Sequence, residues 1–385
     1  MADDTGGQAA PIPLKLLTFV PGAGPARPER PGAGPVGTGM LGAGLARPGM
    51  LGAGGRIVDI SAALGTVLRR AGQPASAEAV AARYGTSLLG VIERAEEALP
   101  ALRQALRLDA AGELGPGDDG GPRIHYLPEE VHLLAPIPRP LSMRDGYAFR
   151  QHVETARRNR GLPMIPEFDQ FPVFYYTNHL SVIGPGPVRV RQRHLDKLDF
   201  ELEAAAVLGK GGRDLDIEQA DEAIFGLMVM NDWSARGLQM EEMKLNLGPA
   251  KGKDFATALG PYLVPREDLV PFRNKSPRGE HFALGMSAEV NGTPVARGNL
   301  ADMSWTFAEI IARASYGVDL HPGEVIGSGT VGTGCFLETN GSGTFSNWWL
   351  QPGDVVACEV EALGRLENVV VLDEPAARAA DRRNR

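Results

Sequence analysis

Glu201 and Glu203 stand two apart in an apolar run, Leu198 to Gly209, that reads as a buried strand closed by glycines. Side chains at i and i+2 of a strand share a face, so two carboxylates point side by side out of an apolar element. Unpartnered, they would repel and lose hydration at a cost on the order of several kcal/mol. A hard divalent cation resolves the conflict, because carboxylate oxygens are the ligands Mg²⁺ and Ca²⁺ prefer. The competing reading puts both on the solvated face of an edge strand, where they do no chemistry. Two further stretches carry compatible groups. An apolar strand ends abruptly in Asn231-Asp232-Trp233 ahead of Ser234, and polar residues at a strand end are well placed to line a pocket. Asp232 is a candidate third carboxylate, or else a turn or helix N-cap residue. From Arg144 to Arg158 the pattern reads as a helix, in which Asp145 and His152, seven apart, share a face. On that face one side chain would hold a cation and the other serve as a base, the alternative for His152 being a satisfied structural histidine. The seven histidines show neither HExxH nor zinc-finger spacing, which argues against a His-rich zinc site.

These residues need a scaffold, and the order of local patterns outlines one. Leu14 to Val20 is β-prone, and Arg56 to Ile60 reads as a returning strand. Between them, Pro21 to Gly55 is dominated by Gly, Pro and Ala, with Met-Leu-Gly-Ala-Gly repeated at Met40 and Met50. Such a stretch buries too little apolar area to offset its ordering entropy and is expected to be disordered. Ser61 is expected to cap a helix through Arg70. Helical spacing recurs from Ser76 to Tyr84 and from Ser87 to Leu108, with Pro100 expected to kink or divide the latter. Ala110 to Pro122 is Gly/Asp-rich and reads as a linker. The expected division is a small N-terminal α/β domain, 1–125, with a disordered insertion at about 21–55, and a catalytic domain, 126–385. In the latter, short β-prone runs such as Val131 to Ala135, Val188 to Arg191, Phe282 to Val290 and Val369 to Leu372 dominate, with helical patterns at Ile217–Phe225 and Thr306–Ser315. The fold class is α+β, a β-rich sandwich or roll with a few helices.

Composition narrows the function. A net charge of −8 over 385 residues argues against general affinity for nucleic acid or anionic membrane, but leaves a small anionic substrate open. Only Cys335 and Cys358 occur, as expected of a reducing, cytoplasmic setting without a disulfide framework. The acidic, polar start lacks the parts of a signal peptide, and no apolar run approaches the roughly 18 residues of a membrane span.

Taken in order, the three acidic elements resemble the fumarylacetoacetate hydrolase family. Asp145-x-Tyr147-x2-Arg150-Gln151-His152 is closer to its fumarylacetoacetase branch than to the smaller acylpyruvases. Glu201-Leu202-Glu203, Met230 to Arg236, Gly252-Lys253-x-Phe255-x-Thr257, Pro322-Gly323-Glu324 and Ser328-Gly329-Thr330 complete the match, which runs from about Pro136 to Val360. The resemblance implies the family's β-rich catalytic fold and a Mg²⁺ or Ca²⁺ ion, Mn²⁺ being a further option, held by Asp145, Glu201, Glu203 and Asp232. Lys253 and Thr257 fall at positions linked to a further cation site. It implies C–C bond hydrolysis in a β-diketo acid such as fumarylacetoacetate or an acylpyruvate. His152 would take a proton from water, and Glu338 would orient it. Arg236, Gln239 and Lys253 would stabilise developing oxyanions, and Tyr147, Tyr175 and Thr330 would contact substrate. A homodimer is implied as well.

Each of these side chains has a plainer reading: Arg236 and Lys253 as surface charges, Gln239 as a helix face, Glu338 as a strand edge. Met243, where the branch has a tyrosine, departs from the pattern, as do Asn178, His179 and a shortened segment between Thr330 and Glu338; these bear on the distal end of the substrate. The rival activities are decarboxylation, isomerisation or hydration of a 2-oxo dienoate on the same scaffold. A non-catalytic cation-binding module is the rival from a different class. Gly327 to Gly332 fits GxGxxG, but Thr333 onward reads as strand and no βαβ unit surrounds it, so a dinucleotide site is not expected. Gly248 to Lys253 misses P-loop spacing.

Overall fold

The computed structural model describes residues 12–22, 46–115 and 122–373. Strands β1 (Leu16–Pro21), β2 (Arg47–Leu51) and β3 (Ile57–Asp59) pair antiparallel in sequence. β2 corrects the expectation of disorder over 21–55: residues 23–45 lie outside the described residues, but 47–55 are ordered. The reason is local. A Cβ on Gly49 would lie 2.8 Å from Leu17 Cδ1 and 3.0 Å from the Phe19 ring, so the missing side chain lets two large apolar residues of β1 close over the strand.

Four helices follow, α1 (Ile60–Arg70), α2 (Pro74–Tyr84), α3 (Leu88–Ile92) and α4 (Ala95–Ala110). Asp59, not Ser61, caps α1, accepting the Ala62 N–H at 2.9 Å. Pro100 lies inside α4 and does not divide it; the break falls earlier, where Arg94 leaves helical geometry at φ −125°, ψ 36°. Burial of Ala98, Leu99, Leu102, Ala105 and Leu106 along one face holds α4 together despite the hydrogen bond that proline removes. Then β4 (His125–Tyr126) joins β3, and β5 (Val131–Leu134) joins β1.

The middle of the chain runs β6 (Met143–Gly146), α5 (Arg150–Arg158), β7 (Phe174–Tyr176), β8 (Val182–Ile183), β9 (Gly186–Val190), β10 (Leu198–Asp199), β11 (Leu202–Leu208), α6 (Ile217–Ala223), β12 (Ile224–Asp232), β13 (Ser234–Ala235), α7 (Arg236–Met243) and β14 (Thr257–Pro265). The helix expected from Arg144 therefore starts only at Arg150. Residues 143–146 are strand because they are hydrogen-bonded on both sides, to β7 and to β19 (Val325–Gly327). Asp145 and His152 do not share a helical face; they approach from different elements.

The last part holds β15 (Arg273–Ser276), β16 (Gly279–Phe282), β17 (Gly285–Val290), β18 (Thr293–Asn299), α8 (Phe307–Ser315), then β19, α9 (Phe336–Gly341), β20 (Val355–Val360) and β21 (Gly364–Leu372). Residues after Thr333 enter α9, contrary to the expected strand, because Asp199 accepts the backbone N–H groups of Phe336 and Leu337 in its first turn.

One large sheet runs β4-β3-β2-β1-β14-β12-β11-β19-β6-β7, with β5 on β1 and β8 on β14. A five-stranded sheet, β18-β17-β20-β21-β9, forms the second main layer, giving the α+β class. The ladder passes from β1 to β14 where Leu16 faces Leu263. β11 and β12 lie at the centre and are buried on both faces. Ala204, Ala206, Leu227 and Val229 belong to the core shared with the second sheet. The alternate residues Ala205, Val207, Met228 and Met230 pack with the apolar faces of α1, α3 and α4. This double burial explains a near-continuous apolar sequence with no polar alternation. Among the described residues, no helix is long and apolar enough to cross a membrane.

Candidate active site

At the end of this two-faced apolar core sit the acidic groups. The β11–β12 register sets Leu202 opposite Asn231 and Glu203 opposite Met230, and the Asp232 N–H reaches the Glu201 carbonyl at 3.3 Å. Asn231 Oδ1 accepts the Glu201 N–H at 3.0 Å, fixing the chain where it enters β11. Asp145 arrives on β6, opposite Gly327 of β19 and Tyr175 of β7. A Cβ on Gly327 would come within 2.3 Å of Asp145 Oδ1, so only glycine leaves room for this carboxylate. Its Oδ1 also accepts the Gly329 N–H at 3.1 Å.

Carboxylate oxygens of Asp145, Glu203 and Asp232 lie within 4.8 Å of one another, and all three residues are buried. A cation with oxygen ligands at about 2.0–2.6 Å spans such separations. Glu203 Oε2, Asp232 Oδ1 and Thr257 Oγ1 are buried without a hydrogen-bond partner, a costly arrangement that a bound cation would relieve. Burial, reinforced by Asp232, pushes the Asp145 pKa up to about 8. Burial and the neighbouring Asp145 likewise raise Glu203 well above the carboxylate range. Each of these carboxyls resists ionising beside the others, a conflict that a divalent ion would offset. Thr330 Oγ1 contacts Glu203 Oε1 at 3.3 Å, and the Tyr175 hydroxyl bonds Asp232 Oδ2.

Glu201 is placed differently. It lies beside the trio but is bound by two cations, Arg236 Nη2 at 2.7 Å and Lys253 Nζ. Burial alone would raise its pKa, but Lys253 and Arg236 overcome that and hold Glu201 well below the usual range. Lys253 Nζ also bonds Asp232 Oδ2. Burial would lower its pKa, yet Asp232 and Glu201 raise it above the ordinary lysine value. Lys253 thus enters as a positive charge between two carboxylates rather than as a neutral donor to a metal. Arg236 Nη1 donates to Gln239 Oε1 at 3.0 Å.

His152 and Glu338 complete the site from α5 and α9. His152 Nδ1 and Glu338 Oε1 are 2.5 Å apart, and both residues are buried. Glu338 Oε2 accepts the Thr333 N–H at 3.2 Å. The Tyr147 ring packs edge-on against the imidazole with centroids 5.6 Å apart, and burial raises its hydroxyl pKa to about 12. Arg236, which bonds Glu201, also bonds Asp199, whose carboxylate receives the backbone N–H groups at the start of α9, so buried contacts join the acid cluster to the helix that carries Glu338.

The structure brings Asp145, Glu201, Glu203, Asp232, Arg236, Lys253 and Tyr175 into one connected group of contacts, and pairs His152 with Glu338; Met243 is exposed and Asn178 bonds Ser181 and Asp254 instead. A further participant joins them. Asp199, fully buried, accepts from Arg236 Nε at 2.9 Å and from α9. Burial raises its pKa, and Arg236 with the backbone donors offsets part of that rise. A signal was available: Asp199 extends the acidic i, i+2 alternation of Glu201 and Glu203 one step back.

Comparison with known proteins bears on family and fold. A family model described as "Fumarylacetoacetate (FAA) hydrolase C-terminal" matches residues 142–371. A fumarylacetoacetase of Oryza sativa subsp. japonica is 33% identical over 286 residues, covering 60% of this chain and 66% of that protein, just under two thirds of its length. Oxaloacetate tautomerase YisK of Bacillus subtilis (strain 168) is 29% identical over 258 residues, 66% of this chain and 78% of the relative. A solved fumarylacetoacetate hydrolase from Exiguobacterium antarcticum superposes with a TM-score of 0.59 at 25% identity, covering 94% of this chain and 100% of that one.

Proposed function

This chain belongs to the fumarylacetoacetate hydrolase family, and from that premise we propose that it is a metal-dependent hydrolase cleaving a C–C bond in a β-diketo acid such as fumarylacetoacetate or an acylpyruvate. The observation that carries the reading is a buried, carboxylate-backed imidazole, His152 on Glu338, beside a buried acid trio with orphaned oxygens. A purely structural cation site has no use for such a base.

Asp145, Glu203 and Asp232, with Glu201 and Thr257 at their flank, would hold the divalent ion; Mg²⁺, Ca²⁺ and Mn²⁺ all suit oxygen ligands. Bound there, the ion supplies Lewis-acid polarisation of the substrate's carbonyl oxygens. The rest is the work of side chains. Glu338 holds Nδ1, leaving Nε2 of His152 to take a proton from water as it adds to the carbonyl carbon. Arg236 and Lys253 offer N–H donors to negative charge growing on oxygen, one such donor being worth about 3 kcal/mol. As the C–C bond breaks, its electron pair passes into the enolate of the leaving fragment. The proton on His152 then returns to that fragment's carbon, closing the balance as two acids from one diketo acid and one water. Tyr147, against the imidazole, and Thr330 and Tyr175, against the acids, would line the substrate's path.

The likeness to an oxaloacetate tautomerase keeps a second outcome in view, proton transfer on a 2-oxo acid without bond cleavage. Product analysis on a panel of diketo acids and oxaloacetate separates the readings. Two carboxylic acids in equal amount support hydrolysis. Carbon dioxide, or a keto–enol change alone, refutes it. The same reading carries a homodimer working in the cytoplasm on a small diketo acid, without nucleic-acid or membrane partners; a solution mass of twice the 41.0 kDa chain tests the dimer.

A further inference from the structure

The acid cluster and the His152–Glu338 pair come from different elements, and something must hold them in register. Glu338 lies on α9, a helix of only six residues, too short to persist without outside support. Its N-cap, Cys335, makes no side-chain cap bond. The support comes from a carboxylate 137 residues earlier: Asp199 Oδ1 accepts the Phe336 N–H at 2.8 Å, and Oδ2 accepts the Leu337 N–H at 3.0 Å. The same Oδ2 accepts from Arg236 Nε at 2.9 Å. Arg236 in turn grips Glu201. Asp199 is 0% exposed and Arg236 2%, so neither contact is shared with solvent.

We propose that Asp199 is a positioning residue for the reaction, setting through one buried side chain both the helix that presents Glu338 to His152 and the guanidinium of Arg236. It touches no reacting atom. It acts through Glu338 on one side and Arg236 on the other. A plain α9 cap would need no guanidinium partner, and a plain ion pair would need no helix amides; Asp199 supplies both from two oxygens. This inference rests on the proposed hydrolase reading only for its kinetic arm.

The test uses the full chain and the substitutions Asp199→Asn and Asp199→Ser. Both keep an acceptor for α9 and lose the charge that fixes Arg236. The expected result is a kcat lowered about 10- to 100-fold with KM within about threefold, in the range lost when orienting groups are displaced. In a Glu338→Gln background, Asp199→Asn should cost less than it does alone, because the Glu338 arm is already lost and only the Arg236 arm remains. A readout without substrate accompanies this. With ¹⁵N-labelled histidine, the Nδ1 resonance of His152 should move in Asp199→Asn toward its position in Glu338→Gln. A kcat within twofold of the unsubstituted protein together with an unmoved resonance overturns the proposal. Two variants that both fail to fold also overturn it, in favour of a structural role. If the unsubstituted protein turns over no diketo acid while the resonance moves as expected, the hydrolase reading falls and the positioning role stands.

Discussion

His152 Nδ1 and Glu338 Oε1 meet at 2.5 Å although 186 residues separate them in sequence. Both side chains are buried, 7% and 1% exposed, which keeps bulk solvent from the contact. A carboxylate in this position fixes the ring's orientation and tautomer, leaving Nε2 free to act. His152→Ala is expected to lower kcat about 10²- to 10⁴-fold, and Glu338→Gln less, with circular dichroism unchanged for both. Steady-state kinetics on a diketo acid measures the order.

Glu203 sits among like charges with an unpartnered Oε2. Glu203→Gln is expected to leave the melting temperature of the chelated protein unchanged or raised, since it removes a group that resists ionisation there. It should also weaken divalent-ion binding and shrink the rise in melting temperature on adding the ion. In the unsubstituted protein, ion at 100 times its Kd should add about 2.7 kcal/mol of stability. Thermal scans with and without Mg²⁺ or Mn²⁺ check both statements.

Arg236 holds Asp199, Glu201 and Gln239 with one guanidinium. Lysine has no planar fork and cannot reproduce these bonds. Arg236→Lys is expected to lower kcat by about 10² with the ion still bound, measured by kinetics beside an ion titration.

Cys335 and Cys358 are free and buried. Burial raises both thiol pKa values, that of Cys358 to about 12. An exposed thiol near pKa 8.5 gains thiolate steeply from pH 7 to 9. These should stay unlabelled by a thiol reagent across that range in the native protein and release two equivalents when unfolded in urea.

Much of the site is legible in the chain because acids in apolar surroundings are conspicuous. Glu201, Glu203 and Asp232 stand where otherwise apolar strands would continue, and their burial follows from that context. What escaped depends on partners far away in sequence. Asp145 reads as helical from its neighbours, yet pairing with β19 draws it into a strand. Residues after Thr333 read as strand, and Asp199, 137 residues earlier, makes the first turn of a helix there. β2 hides in a Gly/Pro/Ala-rich stretch because its fit comes from a side chain that Gly49 lacks, a property composition records as disorder.

The proposed reaction is a hydrolysis that needs both a cation on the buried acids and His152. Its most direct test follows the ultraviolet absorbance of a β-diketo acid after the protein is stripped with a chelator, then reloaded with Mg²⁺ or Mn²⁺, with His152→Ala run in parallel. Expected are no loss of absorbance when stripped, a rapid loss when reloaded with two acids formed in equal amount, and almost none with His152→Ala. Full turnover by the stripped protein, or by His152→Ala, would contradict it.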